Sequence, residues 1–223
     1  MINNMTKINL FSPIFYKSRM DPLLYNKDEL YLDLKHNYTL NNSRKVEEAA
    51  ADYFPDTNFH VYYKDWDNLN YKKIDFTLLY NQYTQVIEEF LSTIGFNNNI
   101  EYKWYTVNIN VAKNGFLDEH DHNGSIQEYK DWPHQFSLVH YFSLKPHHST
   151  TTFLNPIGAC TGLGKKLDNT AIENSSYFQN FNLPMLEDDI IIFPCYIRHR
   201  VDESKITTDD LRITVAINIT IKE

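Results

Sequence analysis

The sequence predicts a mainly β protein of the α+β kind: a closed antiparallel β structure buttressed by helices from its N-terminal part. Three observations carry that expectation. Helical spacing is confined to the first hundred residues, and period-two alternation to those after them. No βαβ alternation occurs. The last strand-like segment sorts its residues into an aliphatic face and a polar face that includes an arginine.

Each element follows from its spacing. Residues 43–54 read as a short helix, capped by Ser43 and closed before Pro55. The rest of the chain before Tyr71 shows no regular pattern. Asp75 is a natural N-cap, and Leu79, Tyr83, Val86, Phe90 and Ile94 recur at steps of three and four until Gly95 ends the helix. Such an apolar stripe lays a helix against the outside of a sheet. Beyond it, Tyr105, Val107, Ile109 and Val111 alternate with Trp104, Thr106, Asn108 and Asn110, so the two sets point to opposite faces of a strand. Residues 136–144, 151–154 and 190–193 are further strands. In the last, 211–221, Ile213, Val215, Ile217 and Ile219 share one face, and Arg212, Thr214, Ala216 and Asn218 the other. With no repeat and no linker, residues 1–223 form one domain, in which 1–100 are helical or irregular support and 101–223 the β core.

The polar face of the last strand has two readings. It lies in water on an ordinary amphipathic strand, or it lines the interior of a barrel while the isoleucines pack against outer helices.

Composition narrows the partners. Lys plus Arg is 21 against 29 Asp plus Glu, a net charge of -8, which argues against a general phosphate-backbone binder. No apolar run approaches a membrane span, and the N-terminus has no apolar h-region. Two cysteines, Cys160 and Cys195, without Cys-x-x-Cys spacing, fit buried thiols in a reducing, cytoplasmic setting. Nine histidines stand out on a chain with six glycines.

His120 and His122 are separated by one residue, so on a strand both imidazoles face the same way. Two neutral imidazoles suit a borderline divalent metal such as iron, zinc or copper. His199 is the best third ligand. It follows the apolar run 190–193 and Pro194, which re-aims the chain toward the mouth of a barrel. Arg212 comes thirteen residues after His199, with Thr214 two positions further on the same face. An arginine fork with a hydroxyl is suited to holding a carboxylate at the bottom of a pocket. Together these are the parts of a non-haem iron site served by a 2-oxo acid, in which three protein ligands leave positions open for cosubstrates.

From Ile8 onward the chain resembles the small 2-oxoglutarate/Fe(II)-dependent oxygenase-like family common in bacteriophages and marine bacteria. The segments that carry the likeness are Asn9-Leu10-Phe11-Ser12-Pro13-Ile14-Phe15, the strand Trp104 to Asn110, His120-Asp121-His122, Ser137-Leu138-Val139-His140-Tyr141, Phe153-Leu154-Asn155-Pro156, and Ile192-Phe193-Pro194 with His199, Arg212 and Asn218. The resemblance implies a double-stranded β-helix, a cupin-like jelly roll, that binds Fe(II), 2-oxoglutarate and O₂ and hydroxylates a further substrate. A phage protein of this kind would work in the host cytoplasm, with a homodimer left open. The competing class is a non-catalytic jelly-roll module, for binding or virion structure, in which the histidines are structural.

Such oxygenases commonly carry His-x-Asp where this chain has His120 and His122. The ligand set is therefore three histidines, or a carboxylate from Asp121 or Asp118 replaces one of them; strand geometry favours His122. His140 and Tyr141 alternate on one strand, so only one faces the interior, and Tyr141 is the candidate partner for 2-oxoglutarate. Asn108 and Asn110 either touch the cosubstrate or satisfy a polar interior, and Asn218 is placed with the cosubstrate-binding residues. His147 and His148 fall in a polar turn and are expected in solvent. The stretch 124–133 reads as a lid, and 158–184 as either an active-site flap or mobile surface.

Overall fold

The computed structural model describes residues 13–41, 59–62, 72–97, 99–113, 117–122, 134–155, 180–204 and 209–222. Their elements are β1 (Tyr16–Arg19), α1 (Lys27–Asn41), β2 (Phe59–Tyr62), α2 (Thr77–Thr93), β3 (Tyr102–Ala112), β4 (Leu117–His120), β5 (His134–Ser143), β6 (Thr151–Phe153), β7 (Phe181–Asn182), β8 (Asp189–Pro194), β9 (His199–Val201) and β10 (Arg212–Ile221). The helix expected at 43–54, Cys160 and most of the two loop segments lie outside the described residues.

The strands build two antiparallel sheets, a six-stranded one in the order β1-β8-β5-β10-β3-β2 and a four-stranded one in the order β4-β9-β6-β7. This is the jelly-roll arrangement. The strand with the polar face, β10, runs through the large sheet between β5 and β3. All ten of its residues are buried, so neither face lies in water. Its Ile213, Val215, Ile217 and Ile219 join Leu79, Tyr83, Ile87 and Phe90 of α2 and Leu30 and Leu34 of α1 in the main core. A smaller core forms from Val139 and Tyr141 of β5, Phe153, Ile191, Phe193 and Ile197. The remaining interior is polar, and the functional groups lie there.

Two N-terminal elements add to the expected plan. β1 pairs with β8, from Tyr16 opposite Ile192 to Arg19 opposite Asp189. Helix α1 buries Leu30, Leu34, Asn37 and Tyr38, but the exposed Leu32 blurs the stripe in sequence. Asn37 acts as a clasp: its amide donates to the Lys72 carbonyl, and its Oδ1 accepts from the Lys72 N–H, both at 2.9 Å. Helix α2 starts at Thr77, whose N–H donates to Asp75 Oδ1 at 2.9 Å, and stops at Gly95, where φ is 98°.

The expected face assignment of β3 holds only for its second half. Opposite β10, Ala216 faces Asn108 but Ile217 faces Thr106, so Val107 is bulged out of the ladder. The bulge reverses the earlier residues. Trp104 turns toward α2, where its Nε1 donates to Thr84 Oγ1 at 3.3 Å and its ring meets Tyr80 and Tyr83 edge-on. Tyr105 turns to the interior and meets Asn218.

Behind β5, on the helix side, lies a buried polar group. His140 is fully buried, and its Nδ1 is 2.8 Å from Tyr83 Oη. Asp188, in a left-handed turn with φ 67°, accepts from Tyr25 Oη at 2.5 Å and from Lys27 Nζ at 2.7 Å. Burial, reinforced by Lys27, pulls the His140 pKa down from 6.5 to about 3. Below pH 6.5 the unfolded chain therefore binds a proton that the folded chain refuses, and stability falls as pH drops toward 3. His140 alone is expected to remove about 2 kcal/mol of stability between pH 7 and pH 5. Urea unfolding of wild type and His140→Asn at both pH values checks this, since the asparagine keeps an acceptor for Tyr83 without titrating. An equally steep pH dependence in the variant would refute it.

Candidate metal and anion site

The two ends of the site come from the two sheets. On the small sheet, His120 of β4 stands directly opposite His199 of β9. Facing residues on paired strands hold their side chains side by side, and these two ring centroids are 4.3 Å apart. His122 lies just past the end of β4, where its backbone N–H donates to the Cys195 carbonyl at 2.9 Å. Its ring stacks on that of His199, with centroids 5.1 Å apart and an interplanar angle of 12°, and lies 5.3 Å from His120. One ring nitrogen from each histidine falls within 4.8 Å of the other two.

Hydrogen bonds select which nitrogens are offered. His120 Nδ1 lies 2.7 Å from the Asp118 carbonyl and His199 Nδ1 lies 3.0 Å from the Ile197 carbonyl. A backbone carbonyl only accepts, so both Nδ1 atoms carry hydrogen and both Nε2 atoms keep a free lone pair. His122 Nδ1 is 3.0 Å from Asn218 Oδ1, across on β10. Burial lowers the pKa of His120, and burial with the neighbouring His120 brings His199 to about 3, so both are neutral at physiological pH. Three imidazoles whose Nδ1 atoms are each turned to an oxygen fit a borderline divalent metal. Asp118 and Asp121 are exposed and outside the cluster; Asp118 contributes only its carbonyl, to His120.

The other end lies on the large sheet. Arg212, Thr214 and Ala216 project from β10 into a cavity that also touches His120, His122 and His199, with about 500 Å³ of space between atoms, partly open to solvent. Arg212 is 3 % exposed. Its Nε donates to the Ser149 carbonyl at 2.9 Å, its Nη1 is 3.5 Å from Thr214 Oγ1, and its guanidinium carbon sits 5.9 Å from the centre of the Tyr141 ring. Among the described residues these neutral groups are its partners, and no carboxylate pairs with it. Burial lowers the Arg212 pKa, yet a guanidinium stays protonated in proteins.

The sequence-named residues fall around this cavity in different ways. Asn108 lines it beside Ala216, and Asn110 beside Thr214. Asn110 Nδ2 donates to Asn108 Oδ1 at 2.9 Å, leaving Asn110 Oδ1 buried without a partner. Tyr141, not His140, is the interior residue of the pair, but its hydroxyl is bound to Thr151, donating to Oγ1 at 2.7 Å and accepting from the backbone N–H at 3.1 Å. It meets the anion end by its ring face. Asn218 touches the site through His122. His148 is a correction: it is buried rather than in solvent, because its Nδ1 accepts from the Lys145 N–H at 3.0 Å, and burial brings its pKa to about 4. Sequence reasoning did not find Leu117, Val139, Thr151 and Val201 on the wall, since apolar and hydroxyl side chains there look like any core residue.

No family model and no curated protein sequence matches the chain. Among solved structures, it is similar to a prolyl-4-hydroxylase from Pseudomonas putida, with a TM-score of 0.50 and 8% identity over 94% of this chain and 92% of that one. It is similar also to the viral collagen prolyl hydroxylase of Paramecium Bursaria Chlorella virus-1, solved as its 2OG complex, with a TM-score of 0.51 and 9% identity over 94% of this chain and 96% of that one. The chain shares the jelly-roll fold of these oxygenases.

Proposed function

We propose that this chain is an Fe(II)- and 2-oxoglutarate-dependent dioxygenase that hydroxylates a separate substrate. The observation that carries the reading is a buried guanidinium, without a carboxylate partner among the described residues, in the same cavity as three converging imidazoles. An unpaired buried charge is costly, and an anionic ligand removes the cost. His120, His122 and His199 hold the metal. Arg212 and Thr214 bind the distal carboxylate of 2-oxoglutarate, and Tyr141 supports the guanidinium from beneath. Asn108 and Asn110 flank the ligand along β3, and Asn218 serves the metal end.

Ferrous iron held there supplies the chemistry that couples oxidative decarboxylation of a 2-oxo acid to oxidation of a C–H bond by O₂. The protein orients the 2-oxo acid between two fixed ends and keeps His120 and His199 neutral. It walls the cavity with Leu117, Val139 and Val201, which limits water around the reacting groups. Anaerobic addition of Fe(II) and then 2-oxoglutarate is expected to produce the weak visible charge-transfer band of a chelated 2-oxo acid. Its absence from folded protein that has bound one equivalent of iron would sink the reading.

A further inference from the structure

The three histidines are not held alike. His120 and His199 each direct Nδ1 to the main-chain carbonyl two residues earlier, Asp118 and Ile197. Those clamps are backbone, and no side-chain change removes them. His122 is beyond the strand, and the Nδ1 contact that orients it is a side chain: Asn218, ninety-six residues away on the other sheet. Asn218 is itself fixed and 5 % exposed. Its Oδ1 also accepts from Ser137 Oγ at 3.2 Å, and its Nδ2 donates to Tyr105 Oη at 3.1 Å. Tyr105 reaches it only because the β3 bulge turns that side chain inward.

We infer that Asn218 is the positioning residue that makes His122 a metal ligand. The inference rests on the metal reading of the triad given above. A carboxamide presents two chemically different ends. With Oδ1 toward His122, Nδ1 must carry the hydrogen and Nε2 is left to bind metal. With Nδ2 toward His122, Nδ1 becomes the acceptor, the hydrogen moves to Nε2, and the ring cannot ligate in its neutral form. Ser137 and Tyr105 hold the carboxamide in place, and its Oδ1 contact with His122 Nδ1 gives the first orientation. Asn218 thus sets the tautomer of the one ligand that departs from the His-x-Asp pattern, and it does so across the two sheets.

The arrangement makes opposite demands on two similar variants. In Asn218→Asp the new carboxylate accepts from His122 Nδ1, Ser137 Oγ and Tyr105 Oη at once, so the metal-binding tautomer is kept. In Asn218→Ala the ring loses its clamp. Titration of the metal-free protein with Co(II), followed by its visible d–d absorption, reads the difference. Asn218→Ala is expected to bind Co(II) about 10–100-fold more weakly, as loss of an outer-sphere partner of a ligating histidine does. Asn218→Asp is expected to match or exceed wild-type affinity, with a wild-type band shape. If Asn218→Ala does not fold, Asn218→Leu, of similar volume and with no group to hold Nδ1, makes the same test, and wild-type Co(II) affinity in it overturns the role of Asn218. Wild-type affinity in Asn218→Ala, or loss of Co(II) in Asn218→Asp, overturns the role of Asn218. Wild-type protein that binds no Co(II) overturns the metal reading itself, and the role of Asn218 with it.

Discussion

Arg212→Ala is expected to weaken 2-oxoglutarate binding about 100-fold or more, while the affinity for a divalent metal stays near wild type. Truncating one partner of a buried, hydrogen-bonded charge pair costs about 2–5 kcal/mol, and 1.4 kcal/mol is a factor of ten. The guanidinium meets every condition for a value in that range. It is buried, its Nε is tied to the Ser149 carbonyl, and Thr214 Oγ1 stands 3.5 Å from its Nη1. The three histidines are held by the Asp118 and Ile197 carbonyls and by Asn218, so the metal end is spared. The stability of the ligand-free protein supplies a control of opposite sign. A guanidinium with no carboxylate partner among the described residues makes the empty fold no more stable, so the alanine variant is expected to unfold at a similar or higher urea concentration than wild type. Calorimetric titration of the Zn(II)-loaded protein with 2-oxoglutarate measures the first effect, and urea unfolding the second. Should the variant bind 2-oxoglutarate normally and unfold much earlier, Arg212 is a structural residue, as a non-catalytic jelly roll requires.

The legible parts of the fold were those where one period ran uninterrupted. β10 alternates cleanly over its length, and α2 repeats at three and four, so both were visible. The bulge at Val107 was not, because it breaks the period within β3 and changes the faces of Trp104 and Tyr105 without any proline or glycine to announce it. β1 is four residues of mixed character whose pairing with β8 depends on residues 170 or more positions away. The site divides the same way. A spacing of two marked His120 and His122, but the pairing of β4 with β9 that brings His199 opposite His120 is a property of the sheet. Alternation told that only one of His140 and Tyr141 faces the interior. That Tyr141 offers its ring rather than its hydroxyl depends on Thr151, on a different sheet.

His199→Ala is expected to abolish tight metal binding, lowering affinity by about a thousandfold or more, since loss of an outer-sphere partner alone costs 10–100-fold. Its ring is 4.3 Å from His120 and 5.1 Å from His122, so it joins the other two. Removing it leaves His120 and His122, whose centroids are 5.3 Å apart, with no described carboxylate in the cluster to complete the set. Asp118→Asn and Asp121→Asn separate the three-histidine site from a His-x-carboxylate one. Both side chains are exposed, and the useful atom of Asp118 is its carbonyl, which asparagine retains. Both variants are therefore expected to bind Co(II) within about threefold of wild type, within the small effects usual for exposed positions. A large loss in either would put a carboxylate on the metal. The distinction bears on charge. Three imidazoles leave a divalent ion its full double charge, whereas a carboxylate ligand removes one unit before any cosubstrate arrives. With Arg212 at the far end, an all-histidine site concentrates positive charge at both ends of one buried cavity, which favours a ligand that is anionic at both ends. 2-Oxoglutarate carries its carboxylates in that way, so a monoanionic 2-oxo acid such as pyruvate is expected to bind the Zn(II)-loaded protein far more weakly, and the alanine variant of Arg212 is expected to erase most of that preference.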